Sequence, residues 1–286
     1  RQNDWTEIEV LLRAIQPIIF FAAWLSLGVD TTRAADEPGL PADNKFAADI
    51  AQLHRNAERL YFQFKPKEAA AELQKILQAD GRNFEALIHL ARAYIDIGNG
   101  IAENGSNWKE LKLKEYRTAE DYARKALNLD PNSTWSHFWV AASVGSVAGV
   151  APVAKQVELS AEIRDEVEKS LAFDPKNGAA CHLYGVWQRK VAEIGGVSRM
   201  FASLFFGKSV PQGSLEKSIE YLKKAVALNP AYIASRLELA RSHVAKKEWP
   251  AARTLLKSIP EIPLQYSQDA KHKRDAEELL DEIKEH

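Results

Sequence analysis

The sequence predicts an all-α fold, an α-solenoid of about five helix pairs with insertions in the middle units and a C-terminal capping helix. The first observation is a phrase that ends a helical pattern each time it recurs: KILQADG at 75–81, KALNLDP at 125–131, KSLAFDP at 169–175 and KAVALNP at 224–230. Proline disfavours helix in the residue before it, and glycine permits the left-handed turn that ends many helices. Each phrase therefore predicts a helix that is followed by a tight turn.

The second observation is the position of small residues relative to these turns. When the turn residue is placed at position 32 of a 34-residue unit, position 8 of the next unit is small every time: Ala91, Ala141, Gly185 and Ala240. Two antiparallel helices need small side chains where their backbones approach closely. Positions 20 and 27 are mostly small as well, and the pattern resembles the tetratricopeptide repeat.

The same register assigns a helix pair to each unit. The spacing between positions 8 and 20 is longer in the second, third and fourth units, which predicts insertions between the two helices of those pairs. A charged helix over 267–285 is expected to cap the array and to present a polar face to water. The predicted pairs are 46–64 with 66–79, 84–98 with 109–129, 134–148 with 153–173, 178–194 with 214–228, and 232–245 with 249–258.

The N-terminal segment has a different character. An uncharged apolar block, Ala14–Val29, follows Arg13 and precedes the small residues Ala34 and Ala35. This order favours a secretory signal peptide over residues 1–35, with a membrane anchor or a helix packed on the folded body as alternatives. A linker over 36–45 and a solenoid domain over 46–286 complete the predicted organisation. The expected location is exported or membrane-associated, in the periplasm if the organism is a bacterium.

Composition and motifs exclude several classes of function. The 286 residues carry a net charge of −1, so no basic field is present to hold nucleic acid. Cys181 is the only cysteine, which leaves no intrachain disulfide and no zinc site built on cysteines. The sequence contains no metal-ligand, nucleophile or phosphate-loop motif. We therefore expect no enzymatic activity, no cofactor and no metal ion.

A stretch in the fourth unit carries a more specific resemblance. Residues 185–211 read GVWQRKVAEIGGVSRMFASLFFGKSVP, and a helix that ends in Asn-Pro follows them. This string resembles the regulator of microtubule dynamics family, and the likeness extends over about 90–256. It implies a non-catalytic helical scaffold, with some members at mitochondrial or microtubule-linked sites and one credited with phospholipid binding and transfer. The matching residues are Gly185, Trp187, Arg199, Ala202 and Phe206.

The candidate binding site is the inner face of the solenoid, which the first helix of each unit lines. Guanidinium groups there could meet a phosphate or carboxylate while aromatic rings hold an apolar portion. Alternatively, the rings pack against the second helices, and the cations are solvated or paired with Glu58, Glu85 and Asp96. The predicted ligand-binding residues are Tyr61, Phe62, Arg92, Trp135, Phe138, His182, Arg189, Lys190 and Arg241.

Two functions remain open at this point. The first is a non-catalytic binding scaffold whose concave face holds a peptide segment of a partner protein. The alternative is a phospholipid or hydrophobic-ligand binding or transfer protein whose insertions close the groove. The apolar insertion 195–213 bears on both functions, because it either plugs its own solenoid or lies in a membrane interface or over a ligand.

Overall fold

The computed structural model describes residues 42–194 and 211–286. Every regular element in these two ranges is an α-helix, so the predicted all-α solenoid is confirmed. The predicted signal peptide or anchor over 1–35 and most of the insertion 195–213 lie outside the described residues. The helices are α1 Ala42–Phe62, α2 Pro66–Ala79, α3 Phe84–Asn99, α4 Trp108–Leu129, α5 Thr134–Val150, α6 Val153–Phe173, α7 Gly178–Ala192, α8 Leu215–Leu228, α9 Ile233–Ala245, α10 Trp249–Ser258 and α11 Asp269–Glu282.

The helices pair in chain order as the register predicts, with α11 packed against α9 and α10 as the cap. The third unit shows how an insertion is accommodated. Only Ala151 and Pro152 separate α5 from α6, so the additional residues of this unit lengthen both helices. In the second unit the extra residues form a loop over 100–107, and they also lengthen α4.

Three of the four recurring turns share a hydrogen-bond pattern. The aspartate before the turn accepts a hydrogen bond from the backbone two residues on, from Asn132 to Asp130 at 3.1 Å and from Lys176 to Asp174 at 2.9 Å. The next helix then begins with a side-chain cap, as where Asn177 accepts from the N–H of Ala180 at 3.0 Å. Such caps satisfy backbone donors that a helix N-terminus leaves free.

Small residues lie where the helices cross, as predicted. Ala91, Ala141 and Ala240 are fully buried. Gly185 of α7 meets α8 so closely that an added Cβ would lie 2.6 Å from Leu222 Cγ and 3.1 Å from the carbonyl oxygen of Ser218. This close crossing brings α7 and α8 together without room for a side chain.

The centre of the solenoid is enclosed. Every residue of α5 from Ser136 to Gly149 is buried, and so is every residue of α7 from Gly178 to Arg189. One buried hydroxyl of α5 is satisfied within the helix: Ser146 donates to the carbonyl of Ala142 at 2.9 Å. The largest apolar cluster runs from α3 to α9, and smaller clusters occupy the two ends. The inner face is therefore covered along its middle units.

Candidate functional site

Of the two predicted aromatic residues of the third unit, Phe138 belongs to the core and Trp135 is half-buried against it. Phe138 is 1% exposed, and its ring meets Trp139 edge-on at 4.9 Å and Trp135 at 5.8 Å. Phe62, at the end of α1, is 64% exposed. Phe62 is therefore open to solvent, whereas Phe138 is enclosed.

Three of the predicted cations lie around one carboxylate. Glu238 of α9 accepts hydrogen bonds from Arg189 of α7 and Arg241 of α9. Arg241 also donates to Asp275 of α11 at 3.1 Å, and Lys190 lies beside them, half-buried. We call Arg189, Glu238, Arg241 and Asp275 the Glu238 network. It joins the fourth unit, the fifth unit and the cap.

The electrostatics of this network are those of a closed set of ion pairs. Burial alone raises the pKa of Glu238, but Arg189 and Arg241 outweigh it and hold that pKa well below its usual range. Burial and the adjacent Arg189 lower the pKa of Lys190. An anionic ligand would have to displace a buried carboxylate from its guanidinium partners, which is strongly unfavourable.

His182 is a neutral, buried group. Its Nδ1 lies 3.0 Å from Ser235 Oγ, and its ring packs edge-on against Tyr232 with centroids 5.3 Å apart. Burial lowers its pKa to about 4. The side chain therefore offers no positive charge to an anion near neutral pH.

The remaining predicted residues, Tyr61 and Arg92, lie in a pocket. The Arg92 guanidinium carbon sits 4.2 Å from the centroid of the Tyr61 ring, and Tyr61 donates its hydroxyl to the carbonyl of His89 at 2.9 Å. The pocket opens to solvent, and its cavity volume is about 30 Å³. We call it the junction pocket; its lining is Tyr61, Phe64, Pro66, Arg92, Asp96, Tyr232, Gln265, Tyr266, Ser267, Gln268 and His272.

The junction pocket joins the two ends of the solenoid. The segment between α10 and α11 reaches it because Asp269 accepts from the backbone N–H groups of Gln265 at 2.8 Å and Tyr266 at 2.9 Å. The ring of Tyr266 packs edge-on against Tyr232 at 5.0 Å. Residues of the first two units therefore line one side of the pocket, and residues of the last unit and the cap line the other.

Asp96 is the acidic group of the junction pocket. Its Oδ2 lies 3.7 Å from Arg92 Nε, which is longer than a hydrogen bond. Burial raises the pKa of Asp96 to about 6, although Arg92 opposes the shift. Arg92 thus pairs with Asp96, one of the carboxylates named in the alternative reading of the sequence, while Arg189 and Arg241 pair with Glu238.

The register could not find half of this pocket. Tyr232 precedes α9, and Tyr266 lies between α10 and α11, so neither occupies an inner-face position of a first helix. The segment IPLQYSQD carries no helical periodicity that would indicate where it folds. The segment reaches Tyr61 and Arg92 only because the last unit folds back towards the first two units.

Comparison with known proteins agrees with this architecture. Residues 53–284 match the profile of the family described as Regulator of microtubule dynamics protein 1-3. The chain belongs to the regulator of microtubule dynamics family. The resemblance read from residues 185–211 is thereby confirmed.

Relatives in this family include animal proteins. Regulator of microtubule dynamics protein 1 of Caenorhabditis elegans is 28% identical over 60% of this chain and 75% of its own length. The Bos taurus protein of the same name is 24% identical over 92% of this chain and 81% of its own length. Among solved structures, a thermophilic TPR protein of Thermus thermophilus matches with a TM-score of 0.55 at 14% identity, covering 81% of this chain and 98% of that protein. That match shows the tetratricopeptide-type fold.

The predicted location is wrong. The chain belongs to a family whose relatives are eukaryotic proteins named as regulators of microtubule dynamics, which overturns an exported or periplasmic protein. The prediction relied on a short apolar block followed by small residues, and that pattern alone is too common to identify a signal peptide. No helix within residues 42–194 and 211–286 combines the length and the apolar character needed to cross a membrane.

Proposed function

We propose that this protein is a non-catalytic scaffold that holds a segment of a partner protein in the junction pocket. The observation that carries the proposal is the meeting of Arg92, Asp96 and three tyrosines at a solvent-open pocket on the inner face. Helical repeat arrays present their inner curvature as a recognition surface. Here that surface is accessible at the junction and covered along the middle units.

The chemistry of the pocket suits a peptide. A peptide unit offers one acceptor, its C=O, and one donor, its N–H. Arg92 supplies donors only, and Asp96 supplies acceptors. Within the described residues no group donates a hydrogen bond to the Asp96 carboxylate, so its oxygens are available to an incoming N–H.

Groups elsewhere in the described residues argue against catalysis. Burial raises the pKa of the Cys181 thiol to about 11, so this cysteine is a poor nucleophile at neutral pH. The described residues contain no cluster of three or more His, Cys, Asp or Glu side chains arranged to hold a metal ion. The ion pairs on the inner face connect helices to one another and frame no reacting atom.

The alternative of a phospholipid carrier finds little support in the pocket. Its lining carries an arginine, an aspartate, two glutamines, a serine and three tyrosine hydroxyls, which do not suit an acyl chain. Mass spectrometry of gently purified protein checks this directly. We expect no co-purifying phospholipid, and a stoichiometric lipid would contradict the proposal.

The partner we propose follows from the relatives, which are named as regulators of microtubule dynamics. Microtubules assembled from purified tubulin are mixed with the protein and sedimented, and the bound fraction is measured. We expect the native protein to sediment with microtubules and Arg92→Gln to bind at least about fivefold more weakly, because a buried guanidinium contact is lost.

A matched control separates the pocket from general charge effects. Arg164 lies on α6 and pairs with the adjacent Asp165 at 2.7 Å, outside the pocket. Arg164→Gln removes the same charge and is expected to sediment like the native protein. Thermal melting of both variants verifies folding. Equal binding by a folded Arg92→Gln would place the contact elsewhere, and no sedimentation of the native protein would reject microtubules as the partner.

A further inference from the structure

Phe64 has an unfavourable backbone conformation. Its φ is 57°, in the left-handed region that a bulky side chain rarely adopts, and Lys247 with φ 60° shares this property. Both residues occupy the same place in their units, just after the first helix. The N–H of Lys65 bonds to Leu60 O at 3.0 Å, and the N–H of Glu248 bonds to His243 O at 2.9 Å. Glycine is the usual residue at this position of the motif.

The two positions differ in their surroundings. Phe64 lines the junction pocket next to Pro66, Gln265 and Tyr266, and it is 46% exposed. Lys247 is exposed and lies outside the pocket. A half-exposed phenylalanine contributes only part of the packing energy that a core phenylalanine provides. A strained conformation at the edge of a pocket is typical of a residue that takes part in binding. We call Phe64 and Pro66 the rim of the junction pocket.

We propose that Phe64 contacts an apolar side chain of the segment that the junction pocket holds. This inference rests on the proposed function and names the class of residue that the pocket selects. Phe64 and Pro66 present apolar surface at the rim, beside the Asp96 carboxylate, which can accept from the N–H of the adjoining peptide unit. The ligand is therefore a segment with a bulky aliphatic or aromatic residue.

The rim is held in advance of binding. The N–H of Phe64 bonds to Tyr61 O at 2.9 Å, and Pro66 follows at the start of α2. Proline fixes its own φ and restricts the residue before it. A rim that is already ordered loses little conformational entropy when a segment binds.

The first experiment measures which class of side chain the junction pocket prefers. Acetylated and amidated tripeptides Gly-X-Gly, with X as Leu, Phe, Lys or Glu, are titrated into ¹⁵N-labelled protein and followed by NMR. We expect the Leu and Phe peptides to shift the amide of Phe64 and the Nε–H of Arg92. The Lys and Glu peptides are expected to bind at least about fivefold more weakly, because the rim offers them no apolar contact gain. Stronger binding by the Lys or Glu peptide overturns the apolar class.

The second experiment uses the two left-handed residues as a matched pair. Phe64→Gly and Lys247→Gly both relieve the same backbone strain, so neither is expected to lower the melting temperature by more than about 2 °C. Phe64→Gly is expected to bind the Leu peptide at least about fivefold more weakly, and Lys247→Gly is expected to bind it unchanged.

The outcomes separate this inference from the proposal beneath it. If the native protein responds to the peptides and Phe64→Gly responds equally, Phe64 is not a contact, although the pocket remains the site. If no peptide shifts any pocket resonance of the native protein, both the pocket assignment and the inference fail. Phe64→Leu keeps apolar surface at the rim, and loss of binding in this variant would also count against an apolar contact.

Discussion

The Glu238 network and the junction pocket use the same residue types on the same inner face for different purposes. In the network, Arg189 is 4% exposed and bonds to Glu238 and to Glu193, the latter at 3.0 Å. In the pocket, Arg92 lies 3.7 Å from Asp96 and lines a space that opens to solvent. The difference teaches that a cation at an inner-face position of a repeat does not by itself indicate a ligand. What matters is whether the cation belongs to a buried set of ion pairs or lines a pocket that opens to solvent.

The largest expected effect comes from opening the Glu238 network. Glu238→Gln leaves the buried guanidinium of Arg189 without its ionised partner, so we expect the free energy of unfolding to fall by about 3 kcal/mol. Urea denaturation at pH 7 measures it. Glu193→Gln removes a more exposed partner of the same arginine and is expected to lower that free energy by less than about 1 kcal/mol. Equal losses from the two variants would contradict a closed network centred on Glu238.

A second test concerns the tight packing around the network. Gly185→Ala places a methyl group against Leu222 and the backbone of α8, so we expect the free energy of unfolding to fall by about 2 kcal/mol. Gly81→Ala is the control, because its nearest neighbour would be 3.7 Å away. Thermal melting of both variants measures the difference. A fully stable Gly185→Ala would mean that α7 and α8 have room to separate.

A third test contrasts the pH dependence of the two regions. Burial raises the pKa of Asp96 from 3.8 to about 6, so ionised Asp96 opposes folding above that pH and has no such effect below its unfolded pKa. Asp96→Asn is therefore expected to raise the free energy of unfolding by about 1 kcal/mol at pH 8 and to change it little at pH 4. Urea denaturation at the two pH values provides the comparison.

Glu238 should behave in the opposite way. Its folded pKa is depressed, so its stabilisation is present above the unfolded value of 4.5 and is lost as the pH falls towards the folded value. The destabilisation caused by Glu238→Gln is thus expected to persist from pH 8 to pH 5 and to shrink below that range. A parallel pH response of the Asp96 and Glu238 variants would remove the distinction between pocket and network.

The smallest expected effect is at Phe62. Because this ring is 64% exposed, Phe62→Ala is expected to change the free energy of unfolding by less than about 0.5 kcal/mol. Phe138→Ala, at a fully buried inner-face position, is expected to lower it by about 3 kcal/mol or more. Denaturant titration of the pair checks whether two residues predicted for the same face differ in burial as the structure has them.

The fold could be predicted from the sequence because its signals are local. The turn residues Asp130 and Asp174 and the small residue Gly185 each act through neighbours set by the repeat spacing, and the structure places them as the register predicts. Boundaries such as Trp249–Ser258 followed from the same spacing.

The candidate site could be predicted only in part because it depends on distant contacts. Tyr61 and Arg92 were found from inner-face positions, but which cations find a carboxylate depends on Glu238 and Asp275, far along the chain. Tyr266 lies outside every repeat position and reaches the pocket through a turn that Asp269 holds. No pattern in one unit reveals contacts between the first unit and the last.

The closure of the solenoid on itself changes how disturbances spread. An open repeat array responds to a change only through nearest neighbours. In this molecule Tyr61 of the first unit and Tyr266 of the segment before the cap line the same pocket. The width of the junction pocket therefore depends on the length of the units between its two sides. A change in the length of a middle helix, such as α5 or α6, is therefore expected to alter the distance between the two sides of the junction pocket.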